Sequence, residues 1–350
     1  MIRTSALRRA LMLALMLGVA LLMITSTGAA GRATCNKWAS TKGSDDNRGT
    51  RTAPYRTLKK LSASLAAGQT GCLRAGSYGA GGTWTIKKGG KAGARVTFMS
   101  APGERATIYN QTYLPNGTNF VTLKNLRFDG SRNRVGEYGK MAPLNITGDY
   151  NRVLSSHVTN RNVSRKKGGI CIYLGKSHSA IAKRTLLRNN RVHDCGIGGN
   201  SHMHGIYVNW AHDSLIVGNY LYDISGKGIA LYRSADRTVV RGNVVHGAGT
   251  DVLLGGGRDH ATDGAVVRNN VLTYPRKNNE GITEWWQGRV GKGNKIYNNC
   301  LWPSGSIKPS RPSGADYRDN FYSSPDYIDA SAANFTVTGD KCSEILRAGR

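Results

Sequence analysis

One short phrase recurs along the second half of the chain and limits what it can fold into. A β-rich run meets an Asn, a second β-rich run follows, and a polar or glycine corner closes the unit. It reads Arg188-Asn189-Asn190-Arg191-Val192, Val217-Gly218-Asn219-Tyr220-Leu221, Arg241-Gly242-Asn243-Val244-Val245, Arg268-Asn269-Asn270-Val271-Leu272 and Tyr297-Asn298-Asn299-Cys300-Leu301. From Asn190 to Asn299 the spacings are 29, 24, 27 and 29 residues. Looser copies stand at Asn125-Leu126-Arg127-Phe128 and Ser156-His157-Val158. A repeat of this length is one supersecondary unit that buries its apolar face only by stacking on its neighbours.

A second phrase interleaves at the same period: Gly169-Ile170-Cys171-Ile172-Tyr173, Gly205-Ile206-Tyr207-Val208, Gly228-Ile229-Ala230-Leu231-Tyr232, Asp251-Val252-Leu253-Leu254 and Gly281-Ile282-Thr283-Glu284-Trp285. Each alternates at period two, the pattern of a short strand, and no helical pattern lies between them. That excludes βαβ units. Stacked parallel coils require equivalent strands and an equivalent Asn in every repeat, with neighbours ~4.8 Å apart. The Asn then becomes a ladder whose amides bond one another and the corner backbone. Positions 170, 206, 229, 252 and 282 are expected to form one interior column, and 172, 208, 231 and 254 another. The 45 glycines against 9 prolines suit a fold of many tight corners and exclude collagen.

The repeat, with the opening Gly43-Ser44-Asp45-Asp46-Asn47-Arg48-Gly49-Thr50, Pro54-Tyr55-Arg56-Thr57-Leu58 and Leu73-Arg74-Ala75-Gly76-Ser77-Tyr78, resembles the pectin-lyase-like superfamily over residues 40–303. The resemblance implies an all-β, right-handed parallel β-helix, a solenoid of roughly eight coils. Such openings are common in secreted polysaccharide lyases and in relatives without known activity. Pro54–Ala67, with Leu58, Leu61 and Leu65 on one face, predicts a short N-terminal capping helix over the open end. The expected organisation is a signal peptide over 1–30, an N-terminal cap with the first coils over 31–115, repeats over 116–303, and a segment over 304–350 that caps or decorates the far end.

Arg3, Arg8 and Arg9 precede an apolar run from Ala10 to Ile24 and small residues to Ala30, the layout of a cleaved secretory signal. The run is short of the ~20 residues of a membrane span. The mature chain is expected outside the cell, as a single copy with no membrane span. Six cysteines in an oxidising compartment favour disulfides, although six allow about fifteen pairings. Proximity within the repeat favours Cys35–Cys72, Cys171–Cys195 and Cys300–Cys342.

The formal charge is +28, and without residues 1–30 about +25, which points to anionic partners. Scattered Lys and Arg without a helix-turn-helix or RNP-like phrase argue against nucleic acid and for an acidic polysaccharide. With Ile206 and Val208 inside, period two turns Tyr173, Asn209, Tyr232 and Trp285 outward as one row, a platform for sugar rings, with Lys167 beside it as a further substrate contact. Eliminating across C4–C5 of a uronate needs a cation on the C6 carboxylate, a base for the C5 proton and an acid for the leaving oxygen. His204 as base, Tyr207 or Tyr232 as acid, and Lys227 or Arg233 as cation fill those roles on neighbouring coils.

Alternatives stay open. Asp251, Glu280 and Glu284 on adjacent coils allow glycoside hydrolysis by paired carboxylates. The same register aims Glu284 inward, so either the strand shifts there or Glu284 is functional. A non-catalytic binding or surface structural role, and epimerisation of a uronate, complete the set. His193, Asp194, Cys195, His202 and His204 bring metal-ligand types together, but their spacing matches no standard zinc motif. No metal site is assigned; the cofactor is unknown, and a calcium requirement is left open without a tight Asp cluster to hold the ion.

Overall fold

The computed structural model of the chain describes residues 34–136, 139–140, 142–161, 169–196, 203–303 and 305–350. Residues 1–30, expected to be a signal peptide, and the candidates Lys167 and His202 lie outside the described residues. Cys35–Arg350 forms one unit.

Each coil contributes up to three short strands, and every coil pairs in parallel with the next. The first ladder has eleven strands, from Lys37–Ala39 to Ala315–Arg318. This ladder starts within the segment expected to hold the first coils and continues past residue 303, where the sequence repeat ends. A second ladder runs through Arg127–Asp129, His157–Asn160, Arg191–Cys195 and on to Cys300–Trp302. A third runs through Leu144–Ile146, Ile172–Leu174, His204–Val208 and on to Glu280–Trp286. The thirteen-residue strands Tyr220–Tyr232 and Val244–Gly256 bridge the second and third ladders, so these two merge into one bent sheet. The result is an all-β parallel β-helix, wound right-handed as parallel crossovers are.

The asparagine ladder sits at the corner between the first and second ladders. From Asn190 through Asn219, Asn243, Asn270 and Asn299 to Asn320, each Nδ2 donates to the next Oδ1 at 2.8–3.0 Å. The backbone N–H of each also donates to that oxygen, at 2.9–3.1 Å. Asn190 to Asn299 are fully buried, so the amides satisfy corner groups that water cannot reach. Ser156, in the looser upstream copy, continues the column: it donates its N–H to Asn190 and its hydroxyl accepts from Leu126 N–H.

Branched and aliphatic side chains fill the interior. One third-ladder column runs Leu144, Ile172, Ile206, Ile229, Val252, Ile282, and the next runs Ile146, Leu174, Val208, Leu231, Leu254. This corrects the expected columns: Ile172 takes the place given to Ile170, and Leu174 that given to Ile172. Cys171 N–H bonds the His204 carbonyl, which sets Ile172 opposite Ile206. A slip of two leaves every side chain on its own face, so alternation alone does not detect it.

The three disulfides are Cys35–Cys72, Cys171–Cys195 and Cys300–Cys342, as proximity in the repeat suggests. Helix α1, Leu58–Ser64, covers the N-terminal end with Leu58 and Leu61 buried. Thr57 caps it by accepting from Lys60 N–H at 3.1 Å. It is shorter than the sequence pattern, because Leu65 turns extended while still burying its side chain.

The C-terminal segment does not simply close the far end. Ser306–Lys308, Ala315–Arg318 and Phe321–Tyr322 extend the ladders, and the chain then returns along the outer face of the second ladder. A hairpin of Tyr327–Asp329 and Asn334–Val337 lays Phe335 against Tyr222, His246 and Tyr327. Helix α2, Asp340–Gly349, is tied down by Cys342, by Asn269 Nδ2 donating to Ile345 O, and by Arg350 donating to Tyr220 OH at 2.7 Å. The reason lies beneath it: Val244 and Val271 point outward, and Phe335, Cys342 and Leu346 cover them. Among the described residues no helix is long and apolar enough to cross a membrane.

Candidate functional site

Strand pairing turns the third ladder's outer face into three rows. One starts at His204 and continues through Lys227 to Thr250. A second holds Tyr173, Tyr207, Ala230 and Leu253. A third holds Tyr232, Gly255 and Trp285, with Asn209 at its upstream end just beyond Val208.

Tyr173 and Tyr207 stack at 5.2 Å, 16° from parallel, and the His204 ring tilts against Tyr207 at 4.8 Å. Tyr173 therefore does not stand in line with Asn209, Tyr232 and Trp285, the consequence of the two-residue slip. Asn209 instead reaches across to it, Nδ2 donating to Tyr173 OH at 2.7 Å. Tyr232 and Trp285 stack at 5.8 Å across the gap left by Gly255, and Tyr232 OH donates to Gln287 Oε1. Trp285 is 51% exposed. The Arg233 guanidinium lies 5.4 Å from the Tyr232 ring.

Burial governs the titration here. It pushes the Tyr207 hydroxyl well up, with Tyr173 adding and Arg233 opposing, and it raises Tyr173 too. Both phenols stay protonated at neutral pH and can donate. Burial lowers the Lys227 ammonium, Lys277 lowers it further, and Glu280 opposes them.

Sequence reasoning missed an adjoining cavity of about 270 Å³ between Arg233 and Gln287, walled by Trp210, Arg258, Asp259 and His260. Trp210 and His260 pack edge to face at 4.4 Å. A signal existed: Trp210 follows Asn209 directly, and Gln287 shares strand parity with Trp285.

The three alternative carboxylates do not share a face. Asp251 is fully buried, and burial raises its pKa well above the usual carboxylate value, with the Ala248 backbone and Arg276 opposing. Glu280 accepts from Thr250 Oγ1 at 3.2 Å and meets Lys308 Nζ at 3.4 Å. Glu284 stays in the interior column opposite Leu254, so the strand does not shift. Its oxygens accept from Trp286 Nε1, Ser310 N and Oγ, Ser313 Oγ, Gly314 N and Tyr317 OH. Glu284 thus anchors the last coil to the segment that follows.

The proposed ligand-type cluster also comes apart. Cys195 is bonded to Cys171, and His193 faces out from the second ladder, stacked on Tyr222 at 4.6 Å. Asp194 is shared between His193 Nδ1 at 3.1 Å and Arg161 at 2.9 Å.

Residues 145–325, more than half of the chain, match the family model described as periplasmic copper-binding protein (NosD). A segment of 75 residues is 36% identical to the uncharacterized protein YwoF of Bacillus subtilis (strain 168), covering 21% of this chain and 16% of that protein. Among solved structures, pectate lyase Pel9A superposes with a TM-score of 0.62 at 16% identity, over 89% of this chain and 88% of that one. XylC in complex with xylose gives 0.58 at 13% identity, over 87% and 72%. The GH136 lacto-N-biosidase of Eubacterium ramulus gives 0.56 at 13% identity, over 82% and 59%. At these identities the likeness is one of fold, the pectin-lyase-like right-handed β-helix.

Proposed function

The chain belongs to the NosD family, and from that membership and the face just described we propose that it is an exported protein that binds an acidic, uronate-containing polysaccharide and cleaves it by β-elimination. The observation that carries this reading is the convergence on one outer face of His204, its ring against Tyr207, with Lys227 beside it in register. Arg233 and the Tyr232–Trp285 pair extend that face. His204 takes the C5 proton, the electron pair becomes the C4–C5 double bond, and the C4–O bond breaks. The leaving oxygen receives its proton from Tyr207 or Tyr232. Lys227 or Arg233 neutralises the C6 carboxylate, which acidifies the C5 hydrogen. Tyr173, Asn209 and Trp285 hold flanking rings, and the strong positive charge, about +25 without residues 1–30, draws the polyanion in. Hydrolysis by Asp251, Glu280 and Glu284 is less well supported, because these carboxylates do not flank a common groove.

A non-catalytic binder is the second reading. It is favoured by the stacked Tyr173–Tyr207 pair and by the burial of Lys227, both of which limit movement toward a substrate.

Copper, named in the family description, was tested against the residues present. All six cysteines are in disulfides, and among the described residues no group of three or more His, Cys, Asp or Glu could hold a metal ion. The described residues present no such group for copper, and no step is assigned to it.

The test is incubation of the mature protein with polygalacturonate, alginate and neutral polymers, with and without calcium, following absorbance of the unsaturated product. His204→Ala is expected to abolish product formation while the polymer still binds. Full activity in that variant removes His204 from the mechanism; wild-type protein that neither binds nor cleaves any uronate polymer refutes the proposal.

A further inference from the structure

A second cavity, of about 540 Å³, opens where the returning C-terminal segment meets the second ladder. It is on a different ladder from the groove above, and its volume falls in the ~300–1,000 Å³ range of small-molecule sites.

Its shape comes from one missing side chain. Pairing aligns Asp194, Asp223, Gly247 and Tyr274 as one corner column, all in the left-handed region, with φ of 54°, 50°, 62° and 55°. Three of the four carry side chains there. At Gly247 an added Cβ would meet no atom within 4 Å, so the glycine leaves a gap between Asp223 and Tyr274. The tail supplies the opposite wall through Asp326 and Tyr327.

The lining is already organised. His246 Nδ1 lies 3.0 Å from Thr273 Oγ1, which lies 2.7 Å from Tyr327 OH, so the floor is internally hydrogen-bonded. Arg276 is held by donating to Ile224 O at 2.9 Å. Tyr274 is 47% exposed, packs on His246 at 5.1 Å, and bonds through its N–H to the backbone of Trp302, whose side chain also lines the cavity. The result is an aromatic wall facing the polar groups of Asp223, Asp326 and Arg276.

Charge decides the ligand class. Two carboxylates against one guanidinium leave the rim net negative, in a chain whose formal charge is +28. Burial lowers the His246 pKa, with Asp223 opposing, so the imidazole adds no charge at neutral pH. A uronate would meet like charge here, whereas an uncharged ring can place its C–H face on an aromatic side chain and its hydroxyls on the carboxylates and Arg276. We propose that this cavity is a second carbohydrate site, for an uncharged pyranose, built by the tail against the Gly247 gap and separate from the acidic-polymer groove.

The test is calorimetric titration with neutral gluco-, galacto-, manno- and xylo-oligosaccharides and with oligogalacturonate. At least one neutral probe is expected to bind. Tyr274→Ala should weaken that binding on the order of tenfold. Gly247→Asn should remove it, because Asn tolerates the left-handed region and fills the gap. His204→Ala should leave it unchanged, which separates this proposal from the fate of the lyase reading. Melting curves check that the variants fold, and the exposed position of Tyr274 keeps the test decisive if Gly247→Asn does not. Absence of neutral binding, neutral binding that Tyr274→Ala leaves intact, or oligogalacturonate binding that either cavity variant removes would overturn the proposal.

Discussion

Replacing Asn243 by Ala isolates what one rung of the asparagine ladder contributes. The side chain accepts from Asn219 N–H and Nδ2, both at 2.9 Å, and donates to Ile216 O and Asn270 Oδ1, both at 3.0 Å. Truncation leaves the buried Asn219 N–H without its acceptor, while Asn219 Nδ2 keeps Leu187 O and Asn270 Oδ1 keeps Asn243 N–H. One to two stranded groups at ~1–3 kcal/mol each, plus a small void, come to about 3 kcal/mol. For a chain of this size that is a fall in melting temperature of about 4 °C. Asn320 is the internal control: it accepts from Asn299 at 2.8 Å but is only partly buried, so water can replace it and Asn320→Ala should cost about 1 kcal/mol. Urea unfolding measures both, and amide exchange at Asn219 should accelerate only in the Asn243 variant. Equal losses in the two variants, or protection of the Asn219 amide retained in Asn243→Ala, would refute the argument that the ladder works by satisfying buried corner groups.

Two further outcomes concern pH. Burial alone would raise the Glu284 pKa, but hydrogen bonds from Ser310, Gly314, Trp286 and Tyr317 outweigh it and hold the carboxyl below its usual value. Its stabilising effect is therefore full above the unfolded pKa of ~4.3 and is lost as pH falls through the folded one; Glu284→Gln should flatten that acid limb in pH-dependent melting curves. His157 is pushed down to about 4 by burial first, then by Arg105, His193, Arg191 and Arg127. Between about pH 6.5 and pH 4 the unfolded chain binds a proton that the folded chain does not, so stability falls with pH there; His157→Gln should lessen that fall, and NMR should find His157 still neutral at pH 6.

Much of the fold was legible because a coil repeats its own chemistry. The Asn at 190, 219, 243, 270 and 299 marked the corner, and strand alternation marked the interior face. The site was legible only by face. Alternation turned Tyr207, Asn209, Tyr232 and Trp285 outward, yet it misaligned Tyr173, because parity is blind to a slip of two residues, and His204, of the same parity as the inward Ile206, reaches that face only through its ring contact with Tyr207. An acid at position 284 is an anomaly among the Val and Leu of its interior column. Its explanation lay in Ser310, Ser313, Gly314 and Tyr317, which come from a segment without a repeat.

By itself the sequence determined the parallel coil, its asparagine corner and the apolar face of its strands, all properties that each repeat states locally and its neighbours copy. Only the tertiary structure decided the exact register, the Tyr173–Tyr207 stack, and the course of the tail that anchors Glu284 and walls the cavity at Gly247. Those depend on contacts between segments that share no period, where the outcome is set by which exposed apolar surface, here Val244 and Val271, remains to be covered.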